Sequence, residues 1–237
     1  MDKYYNPGEI ISGYSIIKII GQGRYGIVYL VENKNFERYI LKQLKNNMLE
    51  ETKEKLFYEQ EILNKLNDSR FPKFISLIEE EITGYVLEYI EGIVFEDLLI
   101  RKNYNFSKKE IYNFADQLLD IIELLHKNNV VHRDIRLPNV ILKKNKELVL
   151  IDFGLARYID NKKYVREMDY WYLGDFLIHL FYTSYYEESN DEEKPWYDEL
   201  NLDEHEKLFL KKLMGIEPSY IDIESIRNDL NILKSIT

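Results

Sequence analysis

Several segments of the first ninety positions have the apolar pattern that is typical of short β-strands. Residues 14–31 predict a strand, a glycine turn and a second strand, and residues 38–44 predict a third strand. Residues 51–67 instead carry an apolar stripe at helical spacing. Residues 74–90 predict two more strands, with Thr83–Gly84 as the hairpin turn between them. The front of the chain is therefore predicted to be rich in β-structure.

The pattern changes in the second part of the chain. Residues 109–129 predict a long amphipathic helix, and after residue 157 only helices are predicted. A β-rich front and an α-rich back predict an α+β protein with two lobes, joined near Glu88–Gly92. We assign residues 1–90 and 91–237 to the two lobes of one domain.

Composition narrows the class of protein. The net charge of −10 argues against a general nucleic-acid binder, because a wide acidic surface cannot neutralise phosphates. The absence of cysteine excludes disulfides, cysteine-ligated zinc and a thiol nucleophile, and it fits a cytoplasmic protein. The first twenty residues lack the apolar core of a signal peptide, and no stretch approaches the ~18 apolar residues of a membrane span. We expect a cytoplasmic protein with neither a nucleic-acid partner nor a membrane span.

A group of polar side chains stands between two apolar runs in VVHRDIRLPNVIL, residues 130–142. Eight positions, His132 to Asn139, hold an imidazole, two guanidiniums, a carboxylate and an amide. Short apolar runs on both sides of a polar segment predict two buried strands joined by a loop. This loop is the first candidate for the chemistry of the chain.

A glycine pattern is the second candidate. Gly21, Gly23 and Gly26 form G-x-G-x-x-G in IIGQGRYGIVYL. A strand follows, where a Rossmann site would have a helix, so the pattern favours a flap over phosphates. Glycine suits such a flap because no Cβ separates the backbone amides from phosphate oxygens. The alternative is a flexible hairpin turn without a ligand.

Lys42 and Glu59 are the third candidate. Lys42 lies inside the predicted strand YILK, and Glu59 lies inside the predicted helix that follows. Either residue alone is typical of a solvated surface. Together they could form an ion pair that holds the ammonium against the phosphates of a nucleotide.

Taken in order, the motifs resemble the signature set of protein kinases. Asp134 and Asn139 lie five positions apart in the polar loop, and Asp152 follows four apolar residues and precedes Phe153–Gly154. With the glycine loop, the strand lysine and the helix glutamate, they follow the family's order over residues 14–157. The resemblance implies a two-lobed kinase fold and the use of ATP and Mg²⁺.

The resemblance also implies a role for each matching residue. Lys42 would hold the α- and β-phosphates, and Glu59, chosen over Glu61 from its place in EQEIL, would fix Lys42. Asp134 would orient the substrate hydroxyl and accept its proton, while Asn139 and Asp152 would hold magnesium. Arg136 would supply positive charge at the γ-phosphate, where serine/threonine kinases usually carry lysine and some tyrosine kinases carry arginine. The implied ATP-binding residues are Ile20, Gly21, Gln22, Gly23, Arg24, Tyr25, Gly26, Val28, Ile40, Lys42, Leu87, Glu88, Ile90 and Ile141. Ile40 stands where the family usually has a small alanine, so a tighter adenine pocket is expected.

The segment after Asp152 departs most from the family. Only 17 positions separate Asp152 from Asp169, which takes the place of the family's anchoring aspartate, and Ala-Pro-Glu is absent. The segment has no serine or threonine, and only Tyr158 and Tyr164 could be modified. Arg133, which in ordinary kinases grips a phosphate on this segment, is therefore expected to pair with a nearby carboxylate or carbonyl. We expect a site that is assembled without phosphorylation.

Three functions stay open from the sequence. The favoured one is a protein kinase, for serine or threonine rather than tyrosine. Because the signature residues are all present, an active enzyme is favoured over a protein that only binds. The second is a kinase-fold enzyme that phosphorylates a small molecule, because most of the peptide platform is missing. The third is a pseudokinase that binds a nucleotide without transfer. His132 and Phe153 are expected to be packing residues, and His126, His179 and His205 to be structural or exposed.

Overall fold

The computed structural model describes residues 3–23, 26–46, 49–185 and 194–236. The chain divides into two compact units, Met1–Glu91 and Gly92–Thr237. As far as they are described, the first unit is a β-sheet with one helix and the second is mostly helical. The α+β class predicted from the sequence is confirmed.

The first unit is built on one antiparallel sheet. Its elements are β1 (Ile10–Ile11), β2 (Tyr14–Gln22), β3 (Gly26–Glu32), β4 (Arg38–Leu44), α1 (Leu49–Lys65), β5 (Phe74–Ile78) and β6 (Gly84–Glu88). The described strands follow the order β1-β2-β3-β4-β6-β5. The predicted strands coincide with β2 to β4, whereas α1 begins and ends two residues earlier than predicted.

The sheet register separates an apolar core from a second, mixed face. Val28 pairs with Lys42 and Ile40 with Leu87, so these four side chains share one face. The opposite face carries the core of the unit, which consists of Tyr5, Ile11, Ile16, Ile27, Tyr29, Val31, Leu41, Ile78 and Val86. Burial of the core face fixes the register, because a slip of one residue would turn every core side chain outward.

The predicted turn at Thr83–Gly84 is wrong. Gly84 is the first residue of β6 and pairs with Ile78, so the connection between β5 and β6 is residues 79–83. A Cβ on Gly84 would lie 2.5 Å from the backbone oxygen of Lys42. The glycine is needed because two strands approach closely, and not because a two-residue turn requires it.

The second unit contains four longer helices, several short elements and two small sheets among its described residues. In chain order these are β7 (Ile93–Val94), α2 (Phe95–Ile100), α3 (Lys108–Lys127), β8 (Val130–Val131), β9 (Val140–Leu142), β10 (Leu148–Leu150), β11 (Arg157–Tyr158), α4 (Glu167–Tyr182), α5 (Trp196–Glu199), α6 (Glu204–Leu213) and α7 (Ile223–Ile236). The small sheets are β10-β9-β7 and β11-β8. Strand β11 ends at Tyr158, so the purely helical part begins one residue later than predicted.

Helix α3 is the centre of the second unit and packs against α4 and α7. It starts at a capping box in which Ser107 Oγ accepts from the Glu110 backbone and Glu110 accepts from the Ser107 backbone. Leu118 and Ile122 on its inner face are fully buried. None of the helices that the structure describes has the length and apolar content of a membrane span.

Candidate active site

In the first unit, Lys42 on β4 and Glu59 on α1 form the ion pair that the sequence suggested. Lys42 Nζ lies 3.0 Å from Glu59 Oε1, and the Glu59 side chain is 2% exposed. Glu61, the rejected alternative, is exposed. A carboxylate as buried as that of Glu59 is costly without a partner, so the pair is what makes its burial tolerable.

Tyr85 on β6 is the second partner of Glu59, and sequence reasoning missed it. Its hydroxyl donates to Glu59 Oε2 at 2.5 Å. Its ring centroid lies 5.6 Å from Lys42 Nζ and stacks on Phe74 at 5.7 Å between centroids. A tyrosine in an apolar strand is usually a core residue, and only the register that pairs Tyr85 with Lys42 points to the site.

The glycine loop closes on itself where β2 turns into β3. The backbone N–H of Gly23 donates to Gly26 O at 3.0 Å, and Lys45 Nζ donates to Gly23 O at 2.8 Å. A Cβ on Gly26 would lie 2.4 Å from the backbone oxygen of Gln43 on β4. Gly26 is thus required by the sheet, whereas a Cβ on Gly23 would meet no atom within 4 Å among the described residues.

The predicted nucleotide contacts of the first unit share one side of the sheet. Gly21 pairs with Val28, which pairs with Lys42, and Ile40 pairs with Leu87 on the same face. Ile20 and Gln22 are exposed, Glu88 and Ile90 are half-buried, and Arg24 and Tyr25 lie outside the described residues. The register therefore brings five of the predicted contacts together.

In the second unit, the polar loop between β8 and β9 holds Asp134 from two sides. Asn139 Nδ2 donates to the backbone oxygen of Asp134 at 2.9 Å and to its Oδ2 at 2.7 Å. Arg136 Nη2 donates to the same Oδ2 at 3.0 Å, and Arg136 Nε donates to Oδ1. This bidentate bond to Asp134 raises the pKa of Arg136. The resemblance directed the charge of Arg136 toward a phosphate, but in the structure it meets the carboxylate two residues before it.

Asn139 and Asp152 lie at the same end of the β9–β10 hairpin. The backbone N–H of Ile151 donates to Asn139 O at 2.9 Å, which joins the residues next to the two strands. Asp152 is exposed and has φ 64°, and Ile141 on β9 is buried. Because Asn139 Nδ2 faces Asp134, its Oδ1 is directed away from that carboxylate. An amide oxygen and an exposed carboxylate are hard ligands, and they fit Mg²⁺.

Asp169 on α4 anchors the polar loop by its backbone. Fully buried, its carboxylate accepts from the N–H groups of His132 at 3.1 Å and Arg133 at 2.8 Å, and from His126 Nε2 at 3.0 Å. Arg133 has φ 67°, a strained left-handed conformation that needs such support. Its Nη1 donates to Leu155 O at 3.0 Å, so the predicted pairing of this arginine with a carbonyl is confirmed.

His132 has the packing role that was expected for it. It is fully buried with its ring edge-on to Phe153 at 4.8 Å between centroids. Burial lowers the pKa of His132 and favours the neutral ring. His126 is buried against Asp169 and structural, while His179 and His205 are exposed.

Both sets of residues are those of protein kinases, and comparison of the whole chain agrees. A family model described as the protein kinase domain matches residues 14–191. The chain belongs to the protein kinase family. It is 37% identical over 247 residues to the probable serine/threonine-protein kinase YbdM of Bacillus subtilis (strain 168), a match that covers 100% of this chain and 96% of that protein.

Other relatives are longer proteins, and the match covers a smaller share of them. The dual specificity protein kinase zakA of Dictyostelium discoideum is 36% identical over 165 residues, which is 68% of this chain and 20% of zakA. Calcium-dependent protein kinase 4 of Plasmodium falciparum (isolate 3D7) is 32% identical over 180 residues, which is 71% of this chain and 34% of that protein. The match thus covers between a fifth and about a third of these two relatives.

Proposed function

We propose that the chain is an active kinase that transfers the γ-phosphate of ATP to a serine or threonine hydroxyl of a protein. The observation that carries the proposal is the Lys42–Glu59 pair, which is closed at 3.0 Å around a buried carboxylate. In protein kinases this ion pair and the aspartate–magnesium contact must both be in place for transfer. The serine/threonine acceptor is supported by the name of the relative that matches over its whole length. A cytoplasmic location stays a prediction from the absence of cysteine.

Asp134 is the proposed base for the acceptor hydroxyl. Its carboxylate accepts three hydrogen bonds, two from Arg136 and one from Asn139. A carboxylate offers about four lone-pair sites, so one acceptor position stays available for the substrate O–H. Arg136 and Asn139 would fix the plane of the carboxylate, and a fixed plane favours proton acceptance in the right direction.

The remaining roles concern the nucleotide and its metal. Lys42 would bind the α- and β-phosphates while Glu59 holds its ammonium in position. Asn139 and Asp152 would hold Mg²⁺ through their side-chain oxygens. Bound there, the metal would supply positive charge for the oxygens of the transferred group.

The short segment between Asp152 and Asp169 favours a second candidate function. It spans 17 positions and has no Ala-Pro-Glu sequence, so the platform that usually docks a peptide is reduced. A small-molecule hydroxyl would need no such platform. A kinase of small molecules is therefore the alternative.

One labelling experiment separates the candidates. The purified chain is incubated with γ-labelled ATP, Mg²⁺ and a desalted lysate or its small-molecule fraction, and acid-insoluble protein is counted apart from soluble metabolites. Label in protein supports the proposal, and label only in a metabolite supports the alternative. Nucleotide binding without label in either fraction would mean a pseudokinase and would overturn both.

Variants then test the assigned roles. Asp134→Asn should keep nucleotide binding while transfer falls about 10²- to 10⁴-fold, because only hydroxyl positioning and proton acceptance are lost. Asp152→Asn should instead weaken magnesium-dependent nucleotide binding, as measured by calorimetry. Glu61→Gln is the control, since Glu61 is exposed beside the buried Glu59. Near-normal transfer by Asp134→Asn would remove Asp134 from the mechanism.

A further inference from the structure

The ring of Tyr164 lies over the guanidinium of Arg133. Arg133 Cζ is 4.7 Å from the ring centroid, a distance at which a cation is attracted to the face of an aromatic ring. Nη1 of the same guanidinium donates to Leu155 O, whereas Nε is buried without a hydrogen-bond partner in the described part of the chain. The face of the Tyr164 ring therefore gives the guanidinium a favourable contact in addition to its hydrogen bond to Leu155 O.

Tyr164 is itself held in a tight turn. Asp160 Oδ1 accepts from the backbone N–H groups of Lys162 at 2.9 Å, Lys163 at 2.9 Å and Tyr164 at 2.8 Å. The backbone N–H of Asp160 donates back to Tyr164 O at 3.1 Å. Four hydrogen bonds within five residues fix where the backbone of Tyr164 stands, so its ring is presented by a rigid support.

This turn is connected to the polar loop between β8 and β9. It follows β11, which pairs with β8, the strand that leads into the loop. Beyond β11, the backbone N–H of Ile159 donates to Asn129 O at 2.8 Å, and Asn129 Nδ2 donates to Ile159 O at 3.3 Å. The turn that holds Tyr164 is therefore joined by hydrogen bonds to the residues just before the polar loop.

We propose that Tyr164 is a positioning residue whose ring holds Arg133, and thereby Asp134, in the working conformation without phosphorylation. The proposal rests on the proposed kinase function and adds how its catalytic loop is ordered. Arg133 occupies a strained left-handed conformation next to Asp134; Asp169 supports it through the backbone N–H, and the Tyr164 ring would support it through the side chain. An aromatic ring can hold a guanidinium with no added charge, which suits a segment that contains no serine or threonine.

The charges around Tyr164 agree with this arrangement. A hydrogen bond from Lys163 and the positive charges of Lys163, Arg133 and Arg157 lower the pKa of Tyr164. Lys163 Nζ lies 5.1 Å from the same ring centroid, but Lys163 is exposed and its contact is open to solvent. Arg133 is half-buried, so its contact with the ring is the better shielded and stronger one.

The test compares Tyr164→Phe, which keeps the ring, with Tyr164→Leu, which keeps apolar bulk only. Phe should leave kcat within about twofold of the original, whereas Leu should lower kcat about tenfold with little change in the KM for ATP. Lys163→Ala is the control and should change neither constant. Loss of activity in Tyr164→Phe would show that the hydroxyl or its phosphorylation is required and would overturn the proposal.

A double-mutant cycle separates positioning from general stability. In an Arg133→Met background, Tyr164→Leu should lower kcat no further, because its effect passes through the guanidinium. Additive losses would mean that Tyr164 acts on the fold alone.

Amide hydrogen exchange of residues 131–139 gives a readout without catalysis. Exchange should be faster in Tyr164→Leu than in Tyr164→Phe, even if the chain transfers no phosphate at all. Equal exchange in the two variants would overturn the proposal, whatever the outcome for kinase activity.

Discussion

The two units hold their charged residues by different means. In the first unit, Glu59 on α1 meets Lys42 on β4 and Tyr85 on β6 through side chains only, although Lys42 and Tyr85 are also paired in the sheet. In the second, Asp169 accepts hydrogen bonds from the backbone of the polar loop that carries Asp134, and Arg136 donates to the Asp134 carboxylate from two residues away. The first arrangement depends on long side chains whose geometry each partner can disturb. The second arrangement holds the backbone of the polar loop itself. We therefore expect it to persist when surface residues are substituted and to be lost when the unit unfolds.

The largest effect is expected where the first arrangement is broken. Lys42→Met should lower turnover about 10²- to 10³-fold, because it removes the positive charge that is proposed to bind the α- and β-phosphates. Glu59→Gln should lower turnover by a large part of the same factor. The losses in the double variant should be strongly non-additive, since both changes break the same ion pair. Steady-state kinetics on the four proteins checks this. Additive losses would show that Glu59 acts independently of Lys42.

The second arrangement should respond in stability as well as in turnover. Asp169→Asn removes the buried charge that accepts from two backbone N–H groups and from His126. The free energy of unfolding should fall by about 2–4 kcal/mol, because buried donors lose a charged partner. Urea denaturation measures this. Asp175→Asn on the same helix is the control. An equal loss of stability in that variant would mean that the hydrogen bonds of Asp169 contribute no more than any aspartate on α4.

A smaller effect is expected from Tyr85→Phe. The variant keeps the stack on Phe74 but loses the hydrogen bond to Glu59, which is worth about 1.5–3 kcal/mol for a charged acceptor before any rearrangement. Turnover should fall only severalfold because the Lys42–Glu59 bond is retained. Tyr39→Phe, which alters a partly exposed tyrosine on β4, should leave turnover unchanged. A loss as large as that of Lys42→Met would make Tyr85 part of the phosphate clamp itself.

The smallest effect is expected from removal of phosphate. Phosphatase-treated protein should keep its activity, and Tyr158→Phe combined with Tyr164→Phe should change turnover little, because the Tyr164 ring is preserved. Mass spectrometry of residues 152–169 before and after treatment gives the control. If activity falls and returns when these tyrosines are rephosphorylated, the arrangement in the second unit depends on phosphorylation, which contradicts the prediction.

Much of the fold follows from local pattern. Strands β2 to β4 and helix α3 could be predicted because their periodicity and caps are local properties of the sequence. The kinase motifs could be recognised because they resemble the signature set of the family and follow its order along the chain. The connection before Gly84 could not, because a glycine gives the same signal whether it serves a turn or the close approach of the Lys42 backbone.

The partners of the site residues were harder to predict than the residues themselves. The resemblance gave Arg136 a role at the γ-phosphate, which stays a prediction. Its hydrogen bond to Asp134 was not predicted, because only a tight loop brings a guanidinium two positions away onto the carboxylate. Tyr85 was not singled out from the sequence, because a tyrosine in an apolar strand is typical of a core residue, and the ring of Tyr164 over Arg133 depends on a turn closed by Asp160. Such contacts are set by strand register and loop closure, which a single sequence does not encode in any short motif.

The exposed indole of Trp171 gives this protein an optical signal of its own. Trp171 stands two residues after Asp169 on α4, is 42% exposed and meets Tyr172 edge-on at 5.3 Å. The chain has only two tryptophans, so Trp196→Phe would leave a single tryptophan, beside the residue that anchors the polar loop. Its emission wavelength and its quenching by acrylamide would then follow events at α4 in real time, with no attached dye.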